Sequence, residues 1–347
     1  MTRTIAYLPG DGVGPEVAGA ARLVSEAAAA LHGVSIAFEE HDFGGIAIDN
    51  HGDPFPVSTK AACTKADAIL LGAVGGPEWD GGAKRPEQGL LALRKELGLF
   101  ANLRPVKIFE GHEEKSPLKS DRAKGVDLLI VRELTGGVYF GRREEGDDKA
   151  LDECAYSKDE VSRVARVAFE AARGRSGRVV SVDKANVLAT SRMWRKTVIE
   201  LHASEFPDVE LAHEYVDAMA MKLIQAPANF DVILTENMFG DILSDEASVI
   251  AASIGLAPSA SLGSGTAGLY EPIHGSAPDI AGEDKANPVG AILSAAMMFR
   301  TSLGSPAAAA AIENAVGSVL ADGRGTADLG GDDSCSSLAR HIVEALG

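Results

Sequence analysis

The stretch FDVILTENMFGDILSDEAS, residues 230–248, restricts the possible folds more than any other part of the chain. An apolar run of Val232, Ile233 and Leu234 stops at Thr235-Glu236-Asn237, and a helical pattern begins soon after. Ile242, Leu243, Val249 and Ile250 are predicted to share one helical face, with Asp241, Asp245 and Ser248 on the other. Two carboxylates four residues apart stand roughly 5–6 Å apart at Cβ, close enough to share one hard cation. The same spacing also suits a solvated helix face with acids in its first turn, so the pair needs company before it means chemistry.

Composition narrows the functional classes. The chain has 347 residues and a formal net charge of −17, which argues against a nucleic-acid or anionic-membrane surface. It leaves an anionic small substrate open, because a few clustered arginines override the global sign locally. Three scattered cysteines, Cys63, Cys154 and Cys335, contain no CxxC pair and suit a reducing cytoplasm. No apolar run approaches the ~20 residues of a membrane span. Thr4 already begins a strand, so the expectation is a cytoplasmic protein without an export signal.

Read in order, residues 4–31 give strand, glycine turn and helix: TIAYL, PGDGVGPE, then an alanine-rich run with Val17, Leu23, Val24 and Leu31. Gly10, Gly12 and Gly14 spell GxGxG where a dinucleotide fingerprint requires GxGxxG, and turn geometry with Pro15 near the helix start explains them adequately. Strands are expected at 34–38 and 67–71. In QGLLALRKELGLF, Leu90 and Arg94 lie four apart on a helix, with Leu91 three from Arg94. An aliphatic patch beside a guanidinium suits a ligand with an alkyl group and a carboxylate, but from these residues alone a surface arginine whose stem covers core leucines is the plainer reading. Pro105 keeps Arg104 extended. Arg132 closes the apolar strand VDLLIV, and Tyr139 follows a Gly136-Gly137 turn.

Residues 141–154 read as an exposed arm or hairpin, and 163–172 as a helix. In RVVSVDKANVL a strand runs into Asp183-Lys184-Ala185-Asn186, where Lys184 is either a surface cap or a poised base. Helices are expected at 193–201 and 218–224, with Asp217 as the N-cap of the second in its plainest reading. Residues 262–288, rich in Gly, Ser and Pro, read as one long binding loop, and three helices follow from Val289.

These pieces assemble into one kit: three arginines, a lysine, a tyrosine, three aspartates and a glycine-rich loop with its own aspartate. Arginines clamp carboxylates, aspartates hold Mg²⁺ or Mn²⁺, and a metal stabilises a developing enolate. That fits redox and decarboxylation chemistry on a small di- or tricarboxylate. On the blocks LPGDGVGPE, LLALRKELGLFANLRPV, VRELTGGVYFG, SVDKANVL, YVDAMAM, FGDILSDEAS, EPIHGSAPDIAG and TADLGG, the chain resembles the β-decarboxylating dehydrogenases, the family of isopropylmalate, isocitrate and tartrate dehydrogenases.

The resemblance implies an α/β, isopropylmalate/isocitrate dehydrogenase-like fold, with central sheets flanked by helices and not a Rossmann fold. It implies a cofactor-side domain from 1–99 plus 252–347, and a domain at 100–251 that dimerises, carries the metal site and extends an arm at about 134–156. The implied activity is NAD-dependent, Mg²⁺- or Mn²⁺-dependent oxidative decarboxylation of 3-isopropylmalate in leucine biosynthesis. Tartrate, malate or homoisocitrate is the rival substrate.

Residue by residue, Lys184, Asp217 and Tyr139 match catalytic positions, and Asp217, Asp241 and Asp245 match metal ligands. Leu90, Leu91, Arg94, Arg104, Arg132, Asn186 and Val187 match substrate contacts. Glu87, Glu271, His274, Gly275, Ser276, Ala277, Asp279, Ile280 and Asn287 match the cofactor side. The implied unit is a homodimer with shared active sites, in which Lys184, Asn186, Val187 and Asp217 reach into the partner's cleft.

Leu90 and Leu91 suit an isopropyl group and would leave a third carboxylate unpaired, while Asp279 favours NAD⁺ by repelling a 2′-phosphate. Glu236 and Glu246 add negative charge near the site with no role legible in the sequence. A two-domain solute-binding protein would need an export signal and would not need Lys184 and Tyr139 beside an aspartate triad.

Overall fold

The computed structural model describes residues 2–347, which group into two compact units. One contains the residues up to Leu99, Phe109–Lys115 and Ala252–Gly347; the other contains Phe100–Ile108 and Ser116–Ala251. The single span 100–251 is therefore too simple, because the short stretch Phe109–Lys115 groups with the first unit.

The first unit opens with β1 (Arg3–Gly10), α1 (Gly14–Leu31), β2 (Ile36–Glu40), α2 (Gly45–His51), α3 (Val57–Lys65), β3 (Ala68–Ala73) and α4 (Pro86–Glu96). Every residue of β3 is buried, as an apolar run at the centre of a largely parallel sheet requires. In α1 the buried stripe is Val17, Ala21, Val24 and Ala28, at three- and four-residue spacing. Leu23 and Leu31 are exposed, so small alanines form more of that packed face than the sequence reading assumed.

The second unit supplies β4 (Ala101–Lys107), α5 (Ser120–Ala123), β5 (Asp127–Glu133), β6 (Arg143–Glu144), β7 (Leu151–Asp152), α6 (Lys158–Arg173), β8 (Arg178–Asp183), α7 (Ala189–Glu205), β9 (Glu210–Tyr215), α8 (Val216–Gln225), β10 (Val232–Thr235) and α9 (Asn237–Ile250). Its strands run in the order β4-β5-β10-β8-β9, with β4 antiparallel to β5 and the other pairings parallel. Alternation along β10 divides two cores: Val232 and Leu234 pack with residues of α6 and α7, and Ile233 packs with residues of α8 and α9. Strands β6 and β7 pair as an exposed antiparallel hairpin.

Register sets the chemistry. Thr235 of β10 stands level with Arg132 of β5 and Val182 of β8, and Asp183 of β8 stands level with Tyr215 of β9. Arg132-Glu133, Asp183-Lys184, Tyr215-Val216-Asp217 and Glu236-Asn237 thus all emerge at the carboxyl edge of the same strands, where open α/β sheets bind ligands.

The first unit is completed by β11 (Pro258–Leu262), β12 (Leu269–Pro272), α10 (Val289–Thr301), α11 (Pro306–Ala321) and α12 (Cys335–Ala345), in a sheet ordered β2-β1-β3-β12-β11. The three expected terminal helices are present. The expected continuous loop at 262–288 is not: β12 lies within it, wholly buried, parallel to β3 and antiparallel to β11. Its flanking Gly and Pro residues masked a four-residue strand.

Two helix readings are also corrected. Tyr215, not Asp217, stands at the N-cap of α8, which frees the Asp217 carboxylate for another partner. In α9, Leu243 and Ile250 are buried with Ala247, but Ile242 and Val249 face outward. With Met221 and Ile224 on the neighbouring α8, they leave four large apolar side chains exposed on two helices packed together. Among the described residues no helix is long and apolar enough to cross a membrane.

Candidate active site

Arg132 leaves the end of β5 and lies across the first turn of α9. Gly240 permits this, since a Cβ there would stand 2.7 Å from the Arg132 Cγ. The guanidinium donates through Nε and Nη2 to Asn237 Oδ1, at 3.0 and 2.8 Å, and through Nη1 to Asp241. Tyr139, on the turn after β5, donates its hydroxyl to the other Asp241 oxygen at 3.0 Å. Burial first, and then the Asp241 charge, push the Tyr139 phenol above its ordinary value, so it stays protonated and able to donate. From β4, Arg104 donates to Asn102 Oδ1 at 2.7 Å, Ser244 Oγ at 2.6 Å and Asp245 Oδ1 at 3.2 Å. Two arginines, two aspartates one turn apart and a tyrosine therefore meet along one side of α9.

Glu236 acquires a structural account here. Its buried carboxylate caps α9 by accepting from the Phe239 amide at 2.7 Å, and it accepts the Tyr156 hydroxyl at 3.0 Å. That hydroxyl in turn accepts from the Asn237 amide, and Asn237 Nδ2 donates to the Gly136 carbonyl. Asn237, with its orientation fixed by these bonds, dictates the rotamer of Arg132. Asn237 is not among the site residues the sequence singled out, although a polar side chain two residues past the end of β10 was a signal.

On the same strand edge, Lys184 Nζ lies 2.9 Å from Asp217 Oδ2. The hydrogen bond from Lys184 holds the Asp217 carboxyl below its ordinary value. Asn186 and Val187 are exposed beside this pair. One chain does not bring Asp217 to Asp241 and Asp245: among the described residues no three His, Cys, Asp or Glu converge as a metal set. Asp241 and Asp245 supply only hard oxygen donors, with the Asp245 side chain 62% exposed, which fits part of a Mg²⁺ or Mn²⁺ shell.

In the first unit, Arg94 is not the surface arginine of the plainer sequence reading. Its Nη2 bonds Glu271 Oε1 at 2.9 Å, with both side chains about nine-tenths buried, and its Nε is enclosed without a partner. Leu90 packs against the core and Leu91 is exposed. The Glu87 carboxylate lies against Gly75. The expected cofactor loop is anchored where the Ser276 carbonyl accepts the Val13 amide at 2.8 Å. Gly12, at φ +57°, comes so close that a Cβ would stand 2.1 Å from that carbonyl oxygen.

His274 is held below its ordinary pKa by burial, and its Nε2 is enclosed without a partner, an orphaned polar atom that suits a polar ligand. Asp279 is exposed on the short turn Pro278–Ile280, with Gly275, Ala277 and Ile280 around it. Glu271 and Asn287 differ from the rest. Glu271 holds Arg94, while Asn287 donates to Asp328 Oδ2 at 3.0 Å and accepts the Val289 amide.

The turn PGDGVGPE is filled by Asp11, whose carboxylate accepts the amides of Gly45, Ile46 and Gly75 at 2.8–2.9 Å. Those three amides are satisfied within the protein, and the turn's own glycines serve close packing, since a Cβ on Gly10 would stand 1.9 Å from the Ala73 carbonyl oxygen and one on Gly14 2.3 Å from that of Pro9.

A family model described as isocitrate/isopropylmalate dehydrogenase matches residues 4–342. The chain belongs to this family. It is 57% identical to the 3-isopropylmalate dehydrogenase of Bacillus licheniformis, covering 100% of this chain and 96% of that one. With the enzyme of the same name from Rhodopirellula baltica it shares 55% identity, covering 99% and 98%. Among solved structures, the isocitrate dehydrogenase of Methylococcus capsulatus superimposes with a TM-score of 0.89 at 36% identity, covering 99% of both chains. The fold is thus that of the isocitrate/isopropylmalate dehydrogenases, as the sequence resemblance implied, and the chain is a decarboxylating dehydrogenase acting on a small molecule.

Proposed function

We propose that this enzyme converts 3-isopropylmalate and NAD⁺ to 4-methyl-2-oxopentanoate, CO₂ and NADH, as a cytoplasmic homodimer in leucine biosynthesis. The observation that carries the reading is the convergence of Arg104, Arg132, Tyr139, Asp241 and Asp245 at one strand edge, with the Lys184–Asp217 pair on the same edge. Relatives above 50% identity over nearly full length bear the name 3-isopropylmalate dehydrogenase.

Arg94, Arg104 and Arg132 bind the two substrate carboxylates, and Leu90 and Leu91 face the isopropyl group. Lys184 of a second copy, steadied by that copy's Asp217, takes the proton of the C2 hydroxyl as the C2 hydrogen leaves with its electron pair. The C3 carboxylate then departs as CO₂, its bonding electrons pass into an enolate, and Tyr139 returns a proton to C3. One proton leaves oxygen and one arrives at carbon, so the step balances. When bound, NAD⁺ supplies the two-electron acceptor and Mg²⁺ or Mn²⁺ supplies Lewis acidity at the substrate oxygens. Glu87, His274, Gly275, Ser276, Ala277, Asp279, Ile280 and Asn287 hold the first. Asp241 and Asp245, with Asp217 of a second copy, hold the second.

Among the described residues Asp217 does not join Asp241 and Asp245 in a three-carboxylate set, which supports its supply by a second copy. The exposed Met221, Ile224, Ile242 and Val249 support an apolar contact between copies. The test is absorbance at the NADH band with Mn²⁺ and 3-isopropylmalate, isocitrate, malate or tartrate, with NADP⁺ and a chelator as controls. Fastest turnover of 3-isopropylmalate with NAD⁺, abolished by the chelator, is expected. Faster turnover of another acid overturns the substrate, and a monomer at equilibrium in the ultracentrifuge overturns the shared site.

A further inference from the structure

Helix α7 runs behind the strand edge that carries Lys184, and two of its side chains, one turn apart, grip that edge. Ser191 Oγ accepts the Lys184 backbone amide at 3.1 Å. Arg195 makes a two-pronged bond to Asp183, with Nε to Oδ2 at 2.7 Å and Nη2 to Oδ1 at 2.9 Å. Asp183 is 1% exposed and immediately precedes Lys184; its Oδ1 also accepts the Ala185 amide at 2.8 Å. The carboxylate therefore fixes the backbone on both sides of the lysine.

The same guanidinium lies 5.1 Å from the ring centroid of Tyr215. Tyr215 stands at the N-cap of α8, two residues before Asp217. A planar cation with donors along one edge and a stacking face is the one side chain that can serve both neighbours at once.

We propose that Arg195 is a positioning residue that holds Lys184 and Asp217 at hydrogen-bond distance by clamping the strand end before one and stacking on the residue ahead of the other. Parallel pairing sets Asp183 level with Tyr215, but it fixes only the backbone. Lys184 has four rotatable bonds beyond it and Asp217 is 64% exposed, so their meeting needs both chain turns held rigid. Arg195 supplies that rigidity from outside the site, touching neither substrate nor cofactor. The assignment rests on the roles given above to Lys184 and Asp217.

The test uses the full-length protein with R195M, R195K and the double variant R195M/D183N. R195M is expected to lower kcat about 10–100-fold, the range for losing an outer partner of a ligand, with KM for NAD⁺ unchanged. Mn²⁺ affinity, measured without substrate or nucleotide, is expected to fall about tenfold. In R195K the charge remains but the fork is lost, so only part of kcat returns. A crystal structure of R195M is expected to show Lys184 Nζ beyond hydrogen-bond reach of Asp217.

Retention of that contact, or kcat and Mn²⁺ affinity within twofold of the unsubstituted protein, overturns the assignment. If R195M alone does not fold because Asp183 is left buried and unpaired, the double variant removes both charges and is read in the same way. If the unsubstituted protein turns over none of the four acids, the proposed function falls, and the crystallographic distance still decides the role of Arg195.

Discussion

Replacing Glu271 tests whether Arg94 is held as the structure shows. The pair joins α4 to β12 across 177 positions of sequence, at 2.9 Å, with side chains 12% and 10% exposed. Removing one partner of a buried pair leaves a charge with no compensation, a cost of about 3–5 kcal/mol. E271A incurs the full penalty, and more so because Arg94 Nε already lacks an acceptor. E271Q keeps a neutral acceptor and forfeits only the charge-assisted part, about 1.5–3 kcal/mol. Unfolding entropy near 60 °C is about 2.1 cal/mol/K per residue, or about 0.7 kcal/mol/K for this chain melting as one body.

Calorimetry should therefore place E271A about 4–7 °C below the unsubstituted protein and E271Q about 2–4 °C below it. The double variant R94M/E271L replaces the pair with apolar groups and should melt within about 2 °C of the original. If Arg94 binds a substrate carboxylate, saturating 3-isopropylmalate should raise the melting temperature of E271A more than that of the unsubstituted enzyme, because only there does it meet an unpaired guanidinium. A melting temperature for E271A within 1 °C of the original would refute the reasoning, since an exposed or water-compensated arginine is the only way to escape the penalty.

N237A removes the acceptor of two Arg132 donors while leaving the arginine in place; KM for 3-isopropylmalate should rise about tenfold, in line with about 1.4 kcal/mol, with KM for NAD⁺ unchanged. A proportional loss in both would point to general damage instead. Asp231 concerns stability against pH: burial opposes its ionisation, yet hydrogen bonds from Ser176, Arg175 and the Arg178 amide outweigh that and hold it below its ordinary value of 3.8. The unfolded chain therefore binds the proton more readily, so Asp231 contributes stability above about pH 4 that is lost as pH falls through the folded value. The urea midpoint should drop less between about pH 5 and about pH 3 in D231N than in the original, and equal drops would remove Asp231 from the acid response.

What could be read from the sequence followed from short-range pattern. The apolar run at 232–234 and the carboxylates at 241 and 245 became β10 and the site-facing turns of α9, because strand length and helical period are local properties. Gly12 and Pro15 likewise announced a tight turn into a helix. The misses share a different cause. Strand β12 is only four residues long and punctuated by Gly and Pro, so its identity comes from pairing with β3 and β11 and not from its own composition. Arg94 looked like a surface residue because Glu271, its partner, lies far along the chain. Glu236 was a bare negative charge until Tyr156 and the Phe239 amide stood beside it. Arg195, in the unremarkable run SRMWRK, carries no signal until β8 and β9 are laid side by side.

The Asp11 carboxylate has a consequence for how this protein can be altered. It joins the turn before α1, the start of α2 at Gly45-Ile46 and the segment at Gly75 after β3. Three connections that would otherwise vary independently in length are tied to a single pair of oxygens. An insertion in any one of them pulls on the other two, and with them on the bed beneath Glu87. Redesign of this edge of the first unit therefore has to treat these loops as a single graft, transplanted together with their aspartate.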